Sequence, residues 1–483
     1  LGAYGNNQRI LSVFVLNFDK FFIYGERFVN FSKLIRPKNM AVLGVSGSNS
    51  RHPANVIYNK NLLRYPVNVF PVNPKGGSLY GEKVYTRVSL IPEDIDLAVI
   101  GVRAEYVLQS LQDCIQARVG GAIVISGGFA ETGRSDLQEE IVTIAREADF
   151  PFIGPNCLGL YNPGQLDTFF LPEERMVRPE SGNVALISQS GGVLVDQIIK
   201  YAQQGVGLSL AVSIGNKALI SELDLLEYLE QDSHTEVISF YLEGFGKNEG
   251  RKFVQAAKKC AKPVVVLKAG KSAQGNRVVS SHTASLAGDY NVFSQVLAQH
   301  GVIEANNEYE MLSFCESLSC YPRSIKGKVG ILTGSGGHGA LCVDVCTDYG
   351  IEVPRLSDQL QNDMRSRLSP AVGPIASLEN PVDLTGSALD DDFVAAASAL
   401  CSIPEIECLL VLLLPYLPGI TADIGARLSQ ISRNTGIPMI AYVPEVDKFG
   451  MFIEGFEFNR IPVSSSIEGV VQMAEAMRRC PLC

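Results

Sequence analysis

The strongest constraint on this chain is an alternation that starts three times. Short apolar, β-rich runs are separated by amphipathic stretches long enough for helices. The first series holds Met40–Val45, Val67–Val72, Leu97–Val102 and Ala122–Ser126, with helical patterns over Ala104–Arg118 and Asp136–Ala148. The texture begins again at Val184–Ser188 and runs through Ser209–Ile214, Val237–Tyr241 and Val264–Lys268. It begins a third time at Val329–Thr333, followed by Leu409–Leu414 and Met439–Val443. Strands alternating with helices of this length read as βαβ units and parallel sheets. Polar joints containing Gly or Pro, at Arg175–Gly182 and Tyr321–Gly327, separate the series. The expected fold class is therefore α/β, with three parallel-sheet domains over 36–175, 176–324 and 325–483. A length of 483 residues suits three such domains.

Residues 1–35 precede the first series. Two apolar patches, Ile10–Leu16 and Phe21–Tyr24, flank Asp19 and Lys20. Neither approaches the roughly 20 apolar residues that span a bilayer, and no small-residue cleavage site follows them. The segment reads as an extension that packs as a hairpin or an amphipathic helix, with no membrane role. The charge sum is −10, and no basic run is present. Nucleic acid is a poor partner for such a chain, because neutralising phosphates needs clustered cations. Eleven scattered cysteines do not suggest a disulfide framework and point to a reducing cytoplasm. Cys480 and Cys483 have CxxC spacing but no following helix to stabilise a thiolate, so they read as free thiols. Cys342 and Cys346, four apart on a helical pattern, read as core.

In open parallel sheets, ligands bind where strands end and helices begin. Four such turns carry signals. Gly44-Val45-Ser46-Gly47 follows the first strand, and its small residues let backbone N–H groups approach a phosphate. Val72-Asn73-Pro74-Lys75 follows the second. An NAD site would usually place an acidic residue there for the ribose; Asn73 and Lys75 favour a phosphorylated nucleotide such as coenzyme A, or NADP. Ser188-Gln189-Ser190-Gly191-Gly192 opens the second series, and Gly334-Ser335-Gly336-Gly337-His338-Gly339 opens the third. Each precedes a helical pattern, so each offers hydroxyls and free N–H groups at the positive end of a helix dipole.

Of five histidines, His282 stands in the polar, small-residue run Ser280–Gly288. It reads either as a loop residue or as a base or nucleophile towards phosphorus, since neutral imidazole is nucleophilic near pH 7. A carboxylate that orients it would come from a strand end, and Glu243 follows one. His338 reads as a secondary contact or an ordinary loop residue, and His52, His234 and His300 as surface residues. Gly270-Lys271-Ser272 imitates the end of a P-loop, but Val265 occupies the first-glycine position. There is no GxSxG elbow and no metal-ligand cluster.

Taken together, these motifs resemble those of the α subunit of ADP-forming acyl-CoA synthetases, related to succinyl-CoA synthetase. The resemblance covers about residues 34–480. It rests on PVNPKGG at 71–77, ISGGFAE at 125–131, IGPNCLG at 153–159, ISQSGG at 187–192, SIGN at 213–216, YLEG at 241–244, SSHTASLAG at 280–288 and NPVDLTG at 380–386. It implies a Rossmann-like CoA-binding domain followed by two flavodoxin-like domains. CoA contacts would fall on Gly44, Ser46, Val72, Asn73, Pro74 and Lys75, with Asn156 near the thiol end. His282 would be transiently phosphorylated, with Glu243 supporting it. Phosphate would bind at Ser190, Gly191 and Gly192 and at Ser335, Gly336 and Gly337. The implied reaction interconverts acyl-CoA, phosphate and ADP with a carboxylic acid, CoA and ATP. The nucleotide step, with ADP/ATP and Mg2+, would need an ATP-grasp β subunit as partner, since three α/β domains fill this sequence. A CoA-binding regulatory protein without turnover is the alternative. The chain departs from the family at His52–Ile57, where further glycines are usual, and at Arg103, where proline is usual.

Overall fold

The computed structural model describes residues 22–24, 27–29, 31–246, 248–282 and 289–481. Three parallel-strand sheets organise it. From edge to edge, the first runs Asn68–Val72, Asn39–Leu43, Leu97–Ile100, Ala122–Val124 and Phe152–Ile153, all parallel. The second runs Leu166–Asp167, Gly159–Asn162, Leu208–Ser213, Ser181–Ser188, Val237–Leu242, Val264–Lys268 and Ile303–Ala305. Its first two members form an antiparallel edge and the rest are parallel. The third runs Val382–Asp383, Val329–Thr333, Cys408–Leu412, Met439–Tyr442 and Val463–Ser464, all parallel. Helices cover both faces of such sheets, which is why their strands read as unbroken apolar runs. Val237–Phe240, Val329–Thr333 and Cys408–Leu412 are buried throughout.

The antiparallel edge lies on the N-terminal side of the joint expected at 175. Gly159–Asn162 pairs with Leu208–Ser213 in the second sheet, so the chain leaves the first sheet after Ile153. Four backbone bends make this crossing tight. Asn156 has φ +57°, Gly154 has φ +102° and Gly159 has φ +105°, and the Gly154–Pro155 peptide is cis. A buried charge cluster then ties the two sheets together. Lys60, on the helix Pro53–Arg64 beside the first sheet, stands 2.8 Å from Asp167 on the second. Arg178 reaches the other Asp167 oxygen at 2.5 Å and Glu173 at 3.0 Å.

Part of the N-terminal extension is structured as well. Phe22–Tyr24 and Arg27–Val29 form an antiparallel hairpin that packs on the helix Glu222–Gln231. Phe31, Leu34 and Ile35 sit in the shared core of the first two sheets, with the Phe31 ring 5.1 Å from that of Tyr228. The patch Ile10–Leu16 lies outside the described residues. The second and third sheets are joined by the helices Glu308–Cys320 and Ile467–Arg479, packed along their lengths. Cys342, Cys346 and Cys480 are buried free thiols; Cys483 lies outside the described residues. Among the described residues no helix is long and apolar enough to cross a membrane.

Candidate functional site

The turns that end the first two strands of the first sheet form one surface. Gly44 turns with φ +95°, where a Cβ would overlap the Gly101 carbonyl. The Ser46 hydroxyl accepts from Asn49 N at 3.1 Å, and Ser46 N donates to Asn55 Oδ1 at 2.6 Å. Asn73 crosses between the turns, donating through Nδ2 to Val45 O at 2.7 Å and accepting from Lys75 N at 2.9 Å. Val72 is buried, while Pro74 and Lys75 are exposed. A side chain at Gly47 would meet open space, so a ligand can approach this backbone closely. His52–Ile57 has a local explanation here. His52 caps the helix Pro53–Arg64, its Nδ1 accepting from Ala54 N at 3.3 Å, with Pro53 at the first helical position.

A cavity of about 680 Å³ opens between the first and second sheets. Asn156, Ser190, Gly191, Gly192 and Glu243 all line it. The helix Gly191–Gln203 starts here because Ser190 caps it, accepting from Val193 N at 3.4 Å. Ser188 fixes the turn before it: its Oγ accepts from Ser190 N at 3.1 Å and donates to Ser190 O at 2.7 Å. Gly192 faces open space. The result is a helix N-terminus aimed at a cavity, which suits an anion. Glu243 follows the strand Val237–Leu242, and Lys268 donates to its carbonyl at 2.8 Å. Burial pulls the Lys268 ammonium down, and the nearby Glu243 charge opposes this. Cys157 also lines the cavity, but burial pushes its thiol up to about 12, so it is no thiolate nucleophile at neutral pH.

Two networks brace this wall; Glu131, Asn216 and Gln189 line the cavity themselves, while Lys217 and Glu222 lie outside its lining. On the first-sheet side, Asn156 Nδ2 donates to Asn216 Oδ1 at 3.2 Å, and Asn216 Nδ2 donates to Glu131 Oε2 at 2.6 Å. Burial pushes the Glu131 carboxyl up. Bonds from Asn216, Gly128 N and Phe129 N outweigh that and hold it below the usual range. On the second-sheet side, Gln189, Lys217 and Glu222 interlock beneath Glu243. The sequence signals for these networks were the motifs ISGGFAE, SIGN and ISQSGG, which contain Glu131, Asn216 and Gln189 but say nothing of how they connect.

Ser335, Gly336 and Gly337 do not line this cavity. They start the helix Gly336–Tyr349 at the end of a third-sheet strand, in a turn built like the one at Ser190. Thr333 Oγ1 accepts from Ser335 N at 3.2 Å, as Ser188 does from Ser190. The Ser335 hydroxyl, however, meets His338 Nδ1 at 3.0 Å instead of capping the helix. Asp383 also faces this start, since a Cβ on Gly336 would stand 3.0 Å from its Oδ2. His282 is the last residue of the helix Ala273–His282; its side chain lies outside the described residues. Among the described residues, no three His, Cys, Asp or Glu side chains are placed to hold a metal ion.

Sheet order, strand-end turns and this cavity are those expected of an α/β protein that binds a phosphorylated nucleotide and an anion. Comparison with known proteins agrees. Residues 38–163 match the model of a CoA binding domain, and residues 181–318 that of a succinyl-CoA ligase like flavodoxin domain. The chain is 34% identical over 456 residues to the ADP-forming acetate–CoA ligase II subunit alpha of Pyrococcus furiosus, covering 91% of this chain and 96% of that one. It is 37% identical over 429 residues to the ADP-forming acetate–CoA ligase I of Archaeoglobus fulgidus, covering 84% of this chain but only 61% of that protein. Among solved structures it resembles the dinucleotide forming acetyl-coenzyme A synthetase 1 of Ca. Korarchaeum cryptofilum, in complex with phosphate and ADP. There the TM-score is 0.83 at 30% identity, over 93% of this chain and 96% of that one. The chain belongs to the family of ADP-forming acyl-CoA synthetases.

Proposed function

We propose that this chain performs the CoA and phosphoryl half of an ADP-forming acyl-CoA synthetase. Coenzyme A would bind the first sheet at Gly44, Ser46 and Val72–Lys75, with its thiol end reaching Asn156. Inorganic phosphate attacks the acyl carbon of acyl-CoA; the C–S bond breaks and CoA leaves, giving an acyl phosphate. A neutral nitrogen of His282 then attacks phosphorus. The P–N bond forms, the P–O bond to the acyl group breaks, and the carboxylate leaves. The helix start at Ser190–Gly192 stabilises the phosphate charge through its N–H groups and dipole, and Glu243 supports the phosphorylated imidazole. A second helix start, at Ser335–Gly337, would receive the phosphoryl group at a later stage. Transfer to ADP, with Mg2+, falls to an ATP-grasp partner subunit, and the setting is cytoplasmic.

One observation carries this reading: a single cavity gathers Asn156, Ser190–Gly192 and Glu243 from two different sheets. Its described lining contains two glutamates and no lysine or arginine. Incubation of the chain with acyl-CoA and radiolabelled phosphate should place an acid-labile, base-stable phosphoryl group on the wild type and none on His282→Asn. CoA binding without any labelling, even with the partner and ATP present, would leave the regulatory alternative instead.

A further inference from the structure

The loop that carries Glu243 is held from below by three side chains outside the proposed chemistry. Gln189 is 8% exposed and sits between Ser188 and Ser190, at the phosphate-binding helix start. Its Oε1 accepts from the backbone N–H groups of both Glu243 and Gly244, the latter at 3.1 Å. Its Nε2 donates to Gly244 O at 2.8 Å and to the Glu222 carboxylate. One amide thus uses both its acceptor and its donor to lock the backbone on either side of Glu243. Glu222 is 1% exposed and heads the helix Glu222–Gln231. It also accepts from Lys217 Nζ at 3.0 Å and 3.3 Å, and the same ammonium donates to Gly244 O at 2.9 Å. Lys217 lies 5.5 Å from the Phe245 ring centroid.

The other side of Lys217 faces the CoA end. Asn216 and Ala218 are bound to the backbone around Asn156: Asn216 N donates to Pro155 O at 2.9 Å and Ala218 N to Gly154 O at 3.0 Å. The turn 215–217 therefore touches the proposed thiol end through Asn216 and the Glu243 loop through Lys217. From this geometry we infer that Gln189 and Lys217, with Glu222 between them, are positioning residues. They fix the Glu243 carboxylate relative to both the helix start at Ser190 and the reactive end of CoA. This rests on the function proposed above, in which Glu243 supports the phosphohistidine. Their neutral or paired state suits the task, because a paired buried ion and a fully bonded amide resist displacement.

The test separates binding from phosphoryl transfer in the full chain. Gln189→Ala, Lys217→Met, Lys217→Arg and the double variant Lys217→Met/Glu222→Gln are compared with wild type. Acyl-CoA affinity is measured by calorimetry and single-turnover labelling from acetyl [32P]phosphate by quench flow. A catalytic group displaced by about 1 Å costs roughly 10²-fold, so Gln189→Ala and Lys217→Met should slow labelling to that extent. Acyl-CoA affinity should change by less than about threefold. Lys217→Arg should recover most of the rate. The double variant, which leaves no unpaired buried charge, keeps the result meaningful if Lys217→Met folds poorly; it should still label slowly. Labelling of Gln189→Ala at the wild-type rate overturns the inference. So does a loss of labelling matched by an equal loss of affinity and of melting temperature, which marks a structural role only. A wild-type chain that takes up no phosphate overturns the proposed function itself.

Discussion

Gly215 shows how closely the site depends on a single hydrogen atom. It adopts φ +56°, and a Cβ there would overlap the carbonyl oxygens of Pro155 and Asn156. The left-handed backbone alone costs about 1–2 kcal/mol for an alanine. The overlap cannot be relieved by a rotamer change, because both partners are backbone. Gly215→Ala should therefore destabilise the chain by about 2–4 kcal/mol in urea unfolding. It should also weaken acyl-CoA binding, since relief must push Asn156 away from the cavity. An alanine variant with native stability and affinity would show that the 154–156 backbone yields freely.

At the level of elements, the helix Glu222–Gln231 presents Glu222 to the site, and its own start is built on a buried acid. Asp224 Oδ2 accepts from Ser221 N at 2.8 Å and from Ser221 Oγ at 2.7 Å in a capping box. Burial, opposed by these bonds, pushes the Asp224 carboxyl up to about 7. A carboxyl with a raised folded-state pKa supplies stability below its unfolded value and loses it as pH rises through the folded one. For Asp224 the window runs from 3.8 to about 7. Asp224→Asn keeps a cap acceptor without the charge. Its melting temperature relative to wild type should climb between about pH 4 and pH 8, and a difference independent of pH would contradict the burial argument. The strands differ in what could be read in advance. Val264–Lys268 and Val329–Thr333 match the sequence reading because strands buried on both faces are unbroken apolar runs. The edges Phe152–Ile153, Val382–Asp383 and Val463–Ser464 were not legible, since two residues carry no period. Nor was the antiparallel pair at 159–167, whose sheet is chosen by its partner Leu208–Ser213 and not by its own residues. Strand-end glycines and Glu243 were visible as residues after apolar runs. Gln189 was visible only as part of the turn Ser188–Gly192, and Lys217 and Glu222 not at all, because the contacts that join the three exist only in the fold.

For the molecule as a whole, a chemistry that uses two sheets requires the sheets to hold a fixed relation. The cluster Lys60–Asp167–Arg178 supplies one such bond across the first boundary. Lys60 and Asp167 are 4% and 0% exposed, and Lys60 also donates to Phe169 O at 2.6 Å. Burial pulls the Lys60 ammonium down, and the Asp167 carboxylate opposes this by favouring the charged lysine. Removing one partner from such a cluster costs about 3–5 kcal/mol, whereas replacing all partners with apolar groups of similar size is often neutral. Asp167→Ala should accordingly lower unfolding stability by that amount, while a Lys60→Met/Asp167→Leu/Arg178→Met chain, in which the partly exposed Glu173 loses Arg178 but keeps Arg64 at 3.4 Å, should recover most of it. Stability and phosphoryl chemistry then separate. If the cluster serves only to fill the boundary, the apolar triple variant should bind acyl-CoA and accept phosphate like wild type. If directional ion pairs fix the angle between the sheets, it should fold well yet label slowly, because Asn156 and Glu243 approach one another from opposite sides of that boundary.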